Sequence, residues 1–175
     1  PTDEEQDLLR AMLVFACSGL DSMLKQLVQD ALGLVIKKDK GAHELFRDHI
    51  ERRLRRGAET DAKFLSTILA CPEPRETMIE DLIYSLRASS LQSKDQLLKV
   101  AAHFNIPSSK LSTDFKLLQQ IFEARNQVAH EMDIDFKQPN RSRRPRKKDD
   151  MIRFTDEIFR IANQCLIQVD ALASA

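Results

Sequence analysis

The sequence predicts an all-α fold, an irregular helical bundle with a long helix at each end, and three observations carry that expectation. Leucine occurs 22 times and valine six, a balance that favours straight-chain helix formers over strands. The four glycines, at positions 19, 33, 41 and 57, are isolated. Apolar residues recur at three- and four-residue spacing, the period of one helix face. At 175 residues the chain is a single domain by size, able to bury roughly 70% of its unfolded surface around one core.

Each helix has its own signal. Thr2 with Glu5 reads as a capping box. Leu9, Met12, Leu13, Ala16, Leu20, Met23, Leu24, Leu27, Ala31 and Leu32 then predict a first helix of about eight turns, ended by Gly33 and the stretch Lys37 to Gly41. Leu45, Phe46, Ile50 and Leu54 predict a second helix, and Phe64, Leu65, Ile68 and Leu69 a short third, both amphipathic and peripheral. Cys71-Pro72-Glu73-Pro74 stops the third. Met78, Ile79, Leu82, Ile83 and Leu86 mark a fourth. Ser93 with Gln96 caps a fifth through Leu97, Leu98, Ala101 and Phe104, broken at Ile106-Pro107. Asp114 caps a sixth that carries Phe115, Leu118, Ile121, Phe122 and Ala129. The last, capped by Asp149 or Asp150, carries Met151, Ile152, Ile158, Phe159, Ala162, Cys165, Leu166, Val169 and Leu172. No repeat of 20 to 50 residues is visible, which excludes a solenoid.

Composition narrows the class. Apolar residues make up 42% and charged residues 31%, with 27 Lys plus Arg against 27 Asp plus Glu, so a collagenous, low-complexity or wholly disordered chain is excluded. The longest unbroken apolar run, Ala11 to Cys17, is far short of the roughly 20 residues of a membrane span, and no secretory leader opens the chain. The expectation is a soluble, unexported, cytoplasmic protein with no membrane partner. Cys17, Cys71 and Cys165 are odd in number and widely spaced, without a C-x-x-C pair, which argues against a disulfide framework and a thiolate metal site. Starting at Pro1 rather than Met, the chain reads as a processed or excised piece of a longer protein.

Charge is neutral in total and polarised in distribution. Residues 137–148 (KQPNRSRRPRKK) hold seven basic residues and no acidic one, leaving 20 basic against 27 acidic elsewhere, a net of −7. Such a loop suits a phosphate backbone, and Arg141, Arg143, Arg144, Arg146, Lys147 and Lys148 are its candidate ligands; a solvated connector is the bland alternative. A second cluster, Arg52, Arg53, Arg55 and Arg56, wraps round a helix and reads either as a solvated face or as a second phosphate track.

The most informative segment runs from Phe122 to Asp133 (FEARNQVAHEMD). Asn126 and His130, four apart, stack on one face, so the amide is placed to orient the imidazole. Arg125 and His130, five apart, diverge by about 140° round the axis, which implies that the helix frays near Ala129 or that two copies of it build one site. His43-Glu44 with His49 puts two histidines six apart, too far round the helix for one metal. His103, among Ala101, Ala102 and Phe104, reads as half-buried. No glycine-rich phosphate cradle and no nucleophile elbow occurs, so neither a metal nor a cofactor is expected.

Arg125-Asn126-x-x-x-His130 at the end of an amphipathic helix resembles the HEPN superfamily, whose motif is Arg, four to six residues, His, commonly with Asn after the Arg. The long first helix with Ser18-Gly19-Leu20-Asp21-Ser22-Met23-Leu24, and a last helix after a basic loop, are most similar to its RiboL-PSP-HEPN branch, so the resemblance spans most of the chain. It implies a metal-independent endoribonuclease, a toxin or effector of prokaryotic defence with an antitoxin or other regulatory partner, acting on RNA as a homodimer with two motifs across one cleft. In that reading His130 is acid or base, Arg125 clamps the phosphate, Asn126 orients His130 or bonds a phosphate oxygen, and Asp21 supports from behind. The alternatives are a non-catalytic module for dimerisation, partner docking or nucleic-acid or nucleotide binding, and a purely structural interaction domain.

Overall fold

The computed structural model describes residues 2–55 and 58–174; Arg56 of the arginine cluster, with Pro1 and Gly57, lies outside them. Among the described residues the chain forms eight helices and no strand, with one isolated antiparallel bridge between Ile134 and Arg143. The helices are α1 (Asp3–Lys38), α2 (Lys40–Leu54), α3 (Ala58–Leu69), α4 (Pro74–Arg87), α5 (Lys94–His103), α6 (Ser108–Leu111), α7 (Phe115–Glu131) and α8 (Lys148–Ser174). The all-α bundle with long terminal helices is therefore the architecture observed.

Helix α1 organises the rest. Its start is the expected capping box: Glu5 N donates to Thr2 Oγ1 at 3.3 Å and Thr2 N to Glu5 Oε2 at 2.9 Å. Its end is not where the glycine implied. Gly33 lies inside the helix, where it costs about 1 kcal/mol against alanine, a cost outweighed by full burial of Leu32, Val35 and Ile36 around it. The turn falls at Asp39, which leaves the helical backbone and caps α2 by accepting from Ala42 N at 2.7 Å. Gly41 has a packing role: a Cβ there would collide with the Asn105 amide, which itself donates to Asp39 at 3.0 Å.

Helix α8 runs parallel to α1 along most of its length, from Gln6 beside Arg146 at one end to Lys38 Nζ donating to the Ala173 carbonyl at 2.7 Å at the other. Helices α2, α4 and α7 pack on the other sides of α1. The core of α8 is Met151, Phe154, Ile158, Ile161, Cys165 and Val169. Ile152, Phe159 and Leu166, expected inside, face outward, because that set is offset by one position from the stripe that meets α1. The helix begins at Lys148, so Asp149 and Asp150 stand in its first turn rather than as its cap. By length and composition α1 is apolar enough to cross a membrane, although no long unbroken run shows this; here its apolar side is the core of the bundle.

Cys17, Cys71 and Cys165 are free thiols; burial pushes Cys165 up to about 11 and Cys17 up to about 12, so both are inert at neutral pH. His103 is more buried than expected, at 7% exposure. That burial, with His49, Lys99 and Arg52 nearby, pushes its imidazole down to about 4 from 6.5. Between those values the unfolded chain binds the extra proton, so stability is lost as pH falls from about 6.5 towards 4. Urea unfolding over that range is expected to show the loss, with a shallower pH slope in His103→Gln; an undiminished slope in the variant would assign the loss elsewhere.

Candidate active site at the end of helix α7

Helix α7 is capped as expected, with Leu117 N donating to Asp114 Oδ1 at 2.8 Å, and it stays helical through His130 to Glu131. It stops at two consecutive non-glycine residues in the left-handed region, Met132 (φ 52°) and Asp133 (φ 60°). Both N–H groups donate to the Gln127 carbonyl. Left-handed backbone costs roughly 1–2 kcal/mol per such residue, so something must hold this turn.

The Asp133 side chain does so. It is fully buried, and its Oδ2 accepts from Arg10 Nε of α1 at 2.8 Å and from Arg146 Nε at 3.0 Å. Its Oδ1 accepts from Arg146 Nη2, which also donates to Gln127 Oε1 at 2.8 Å. Gln6 of α1 then grips the Arg146 backbone from both sides, donating to its carbonyl at 2.6 Å and accepting from its N–H at 2.7 Å. Neither Arg10 nor Gln6 is singled out by motif reading. The available signal is a charged residue, Arg10, in helical register with the buried Leu13 and Cys17.

On the last turns of α7, Arg125 Nη1 donates to Asn126 Oδ1 at 3.0 Å and lies 3.3 Å from His130 Nε2. The 140° separation is thus bridged within one chain: it describes where the side chains leave the axis, and the arginine is long enough to reach round the helix. Neither fraying nor a second copy is needed to bring the pair together. Asn126 engages Arg125 rather than His130, because the guanidinium lies between them. A guanidinium only donates, so this contact makes Nε2 the acceptor and places the imidazole proton on Nδ1. Arg125 is half-buried, its Nε shut off from solvent without a partner among the described residues, and its charge is felt by Cys17 of α1. His130 and Asn126 are exposed. A fixed cation beside an accessible imidazole is an arrangement that can hold a phosphate and exchange a proton with it.

Other expected residues fall elsewhere. Asp21 accepts from Leu91 N at 2.7 Å and pairs with Lys25 at 2.9 Å, fastening the α4–α5 connection to α1; it bonds none of Arg125, Asn126 and His130. In the basic loop, Arg143 pairs with Asp7 at 2.7 Å, Arg144 with Glu131 at 3.0 Å and Arg146 with Asp133. Half of the six expected phosphate ligands are thus engaged internally, and Arg141, Lys147 and Lys148 remain exposed, with no ion pair among the described residues. His43 contacts Arg75 at 3.3 Å while His49 faces His103, so the two histidines of the His-Glu segment have separate partners. Among the described residues no three or more His, Cys, Asp or Glu side chains converge on a point.

The model of the RiboL-PSP-HEPN family matches residues 1–168. The chain belongs to that family. The match covers nearly the whole chain, including α7, the basic loop and most of α8, and membership makes the chain a nuclease or nucleotide-binding module. No curated protein and no solved structure matches it. The hydrogen bonding at His130 has a spectroscopic consequence. Long-range ¹H–¹⁵N correlation at neutral pH is expected to show the Nδ1–H tautomer for His130, and Arg125→Ala should abolish that bias; an Nε2–H tautomer in the parent chain would contradict the contact.

Proposed function

We propose that this HEPN domain is a metal-independent endoribonuclease in which His130 transfers the proton and Arg125 holds the phosphate. The observation that carries the reading is the 3.3 Å approach of Arg125 Nη1 to His130 Nε2 at an exposed helix end. In RNA cleavage of this type the 2′-hydroxyl loses a proton and attacks its own phosphorus, the phosphorane gathers negative charge, and the 5′-oxygen leaves with a proton. Imidazole supplies the proton steps and guanidinium the charge stabilisation. Asn126 keeps Arg125 aimed. One chain offers a single exposed imidazole at this site, so separate base and acid call for a second copy across the cleft; on that chemical ground the acting form is a homodimer. Arg141, Lys147 and Lys148 guide the RNA backbone. The biological setting that goes with this reading is a cytoplasmic toxin or effector of prokaryotic defence, restrained by an antitoxin or regulatory protein.

One observation favours a second reading. Arg125 already has intramolecular partners in Asn126 and His130, an arrangement equally suited to holding a nucleotide phosphate without cutting it.

Purified protein incubated with mixed RNA in EDTA, beside His130→Ala, separates the two. The nuclease reading expects cleavage leaving 2′,3′-cyclic phosphate and 5′-hydroxyl ends, slowed by about 10²–10⁴-fold in the variant. Strict magnesium dependence or 5′-phosphate products overturn it, and RNA bound equally by both chains but never cut establishes the binding module. Neutralising Arg141, Lys147 and Lys148 should lower RNA affinity and flatten its log–log salt slope by roughly 0.7 for each phosphate no longer neutralised.

A further inference from the structure

A cavity of about 400 Å³ lies between α2, α4 and α5, on helices other than the one that carries Arg125 and His130. Its walls are His49, Arg52 and Arg53 from α2, Asp81, Tyr84 and Ser85 from α4 with Ala88 just after it, and Lys99 and His103 from α5. Five buried side-chain polar atoms lack a partner among the described residues, and three belong to residues lining this one cavity: His49 Nε2, Arg53 Nε and His103 Nδ1. Buried polar groups are nearly always satisfied, and leaving one bare costs about 1–3 kcal/mol. Three around one hollow mark a place built to be filled.

Charge identifies the occupant's sign. Arg52, Arg53 and Lys99 supply three cations against a single carboxylate, Asp81, which is held by Arg53 at 3.5 Å. Arg53 is further committed to the face of Phe64, its guanidinium carbon 4.5 Å from the ring centre. Arg52 and Lys99 make no ion pair among the described residues. The two imidazoles stand edge to face with centres 6.2 Å apart, and both are held towards the neutral form chiefly by burial; at His49 Asp81 opposes this while Arg52, Arg53 and Lys99 add to it, and at His103 the neighbouring His49, Lys99 and Arg52 add to it. A metal ion would add positive charge to this set and find one carboxylate already taken. An anion relieves it, and lets both rings donate.

Size and shape narrow the class. The hollow is far larger than a halide or a lone carboxylate requires and falls within the range of small-molecule sites. The donors come from two helices, α2 and α5, and are numerous enough for an oxyanion with several oxygens. The Tyr84 ring, 75% exposed, stands at the rim as a flat apolar surface. We propose that this pocket binds a small phosphate monoester, its phosphoryl group between Arg52, Lys99, His49 and His103 and its organic group against Tyr84. The site is independent of RNA cleavage at α7.

Phenyl phosphate serves as the probe in calorimetric titration at neutral pH, with inorganic phosphate and phenol beside it, while His49 and His103 are followed by ¹H–¹⁵N correlation. The expected result is binding of phenyl phosphate, weaker binding of inorganic phosphate, none of phenol, and ligand-dependent shifts at both histidines. The double variant Arg52→Gln/Lys99→Gln should weaken phenyl phosphate at least tenfold. Lys110→Gln/Lys116→Gln, which removes the same charge at exposed sites elsewhere, should not. Both charged positions of the test variant are exposed, so its circular dichroism should match the parent. Three results overturn the assignment: no heat and no histidine shift at millimolar phenyl phosphate, which would mean a water-filled hollow; affinity unchanged in the double variant; or displacement of the probe by single-stranded RNA with higher affinity, which would make the pocket part of an RNA track.

Discussion

Everything at the end of the molecule that carries the candidate site depends on one buried carboxylate, that of Asp133, held between Arg10 and Arg146. An ion removed from water carries a penalty of several kcal/mol, recovered only when its partners are close and its lone pairs are filled. Here both oxygens are engaged, and Arg146 also bonds Gln127. Three chain segments distant in sequence meet at that point: the start of α1, the end of α7 and the entry to α8. The backbone follows the same plan, with Arg144 N donating to the Asp133 carbonyl at 2.8 Å and Arg10 Nη2 to the Arg144 carbonyl at 2.9 Å. The cluster explains how α7 can end in two left-handed residues and why its last turn, with His130, does not unwind.

The same cluster divides the basic loop into two kinds of cation. Arg143, Arg144 and Arg146 neutralise acidic groups of the body, and their charge is largely spent. Arg141, Lys147 and Lys148 face water and keep their long-range attraction for an anion. The loop is therefore a folded strap, pinned to the end of α7 at Gln127, Glu131 and Asp133, with a few exposed charges, and a run of seven basic residues overstates the field it presents.

The fold class was readable because the signals that make helices are local. Thr2 with Glu5, Ser93 and Asp114 each cap within three residues, and the apolar stripes of α1, α4 and α7 need only the helical period. What failed required distant information. Gly33 reads as a stop when propensity is taken without the burial of Leu32, Val35 and Ile36; the stretch Lys37 to Gly41 does hold the turn, at Asp39, but the need for glycine at 41 lies in Asn105, 64 residues on. Arg146 pairs with a carboxylate 13 residues away, and Arg10 with one 123 residues away, so neither was assignable from spacing. At the candidate site the residues Arg125, Asn126 and His130 were identifiable from sequence and do lie together. Their mutual geometry was not, because an angle counted round the helix axis ignores the reach of an arginine side chain.

If Asp133 is the point on which this end of the bundle is assembled, its energetic coupling to Arg10 must be large. A double-mutant cycle of Arg10→Ala and Asp133→Ala, read by urea unfolding, measures it directly. The arrangement implies that each single change costs about 3–5 kcal/mol by stranding its partner's buried charge, and that the double change costs less than their sum by about 1–3 kcal/mol. Additivity within about 0.5 kcal/mol would mean that the two side chains do not depend on each other, and would contradict the account.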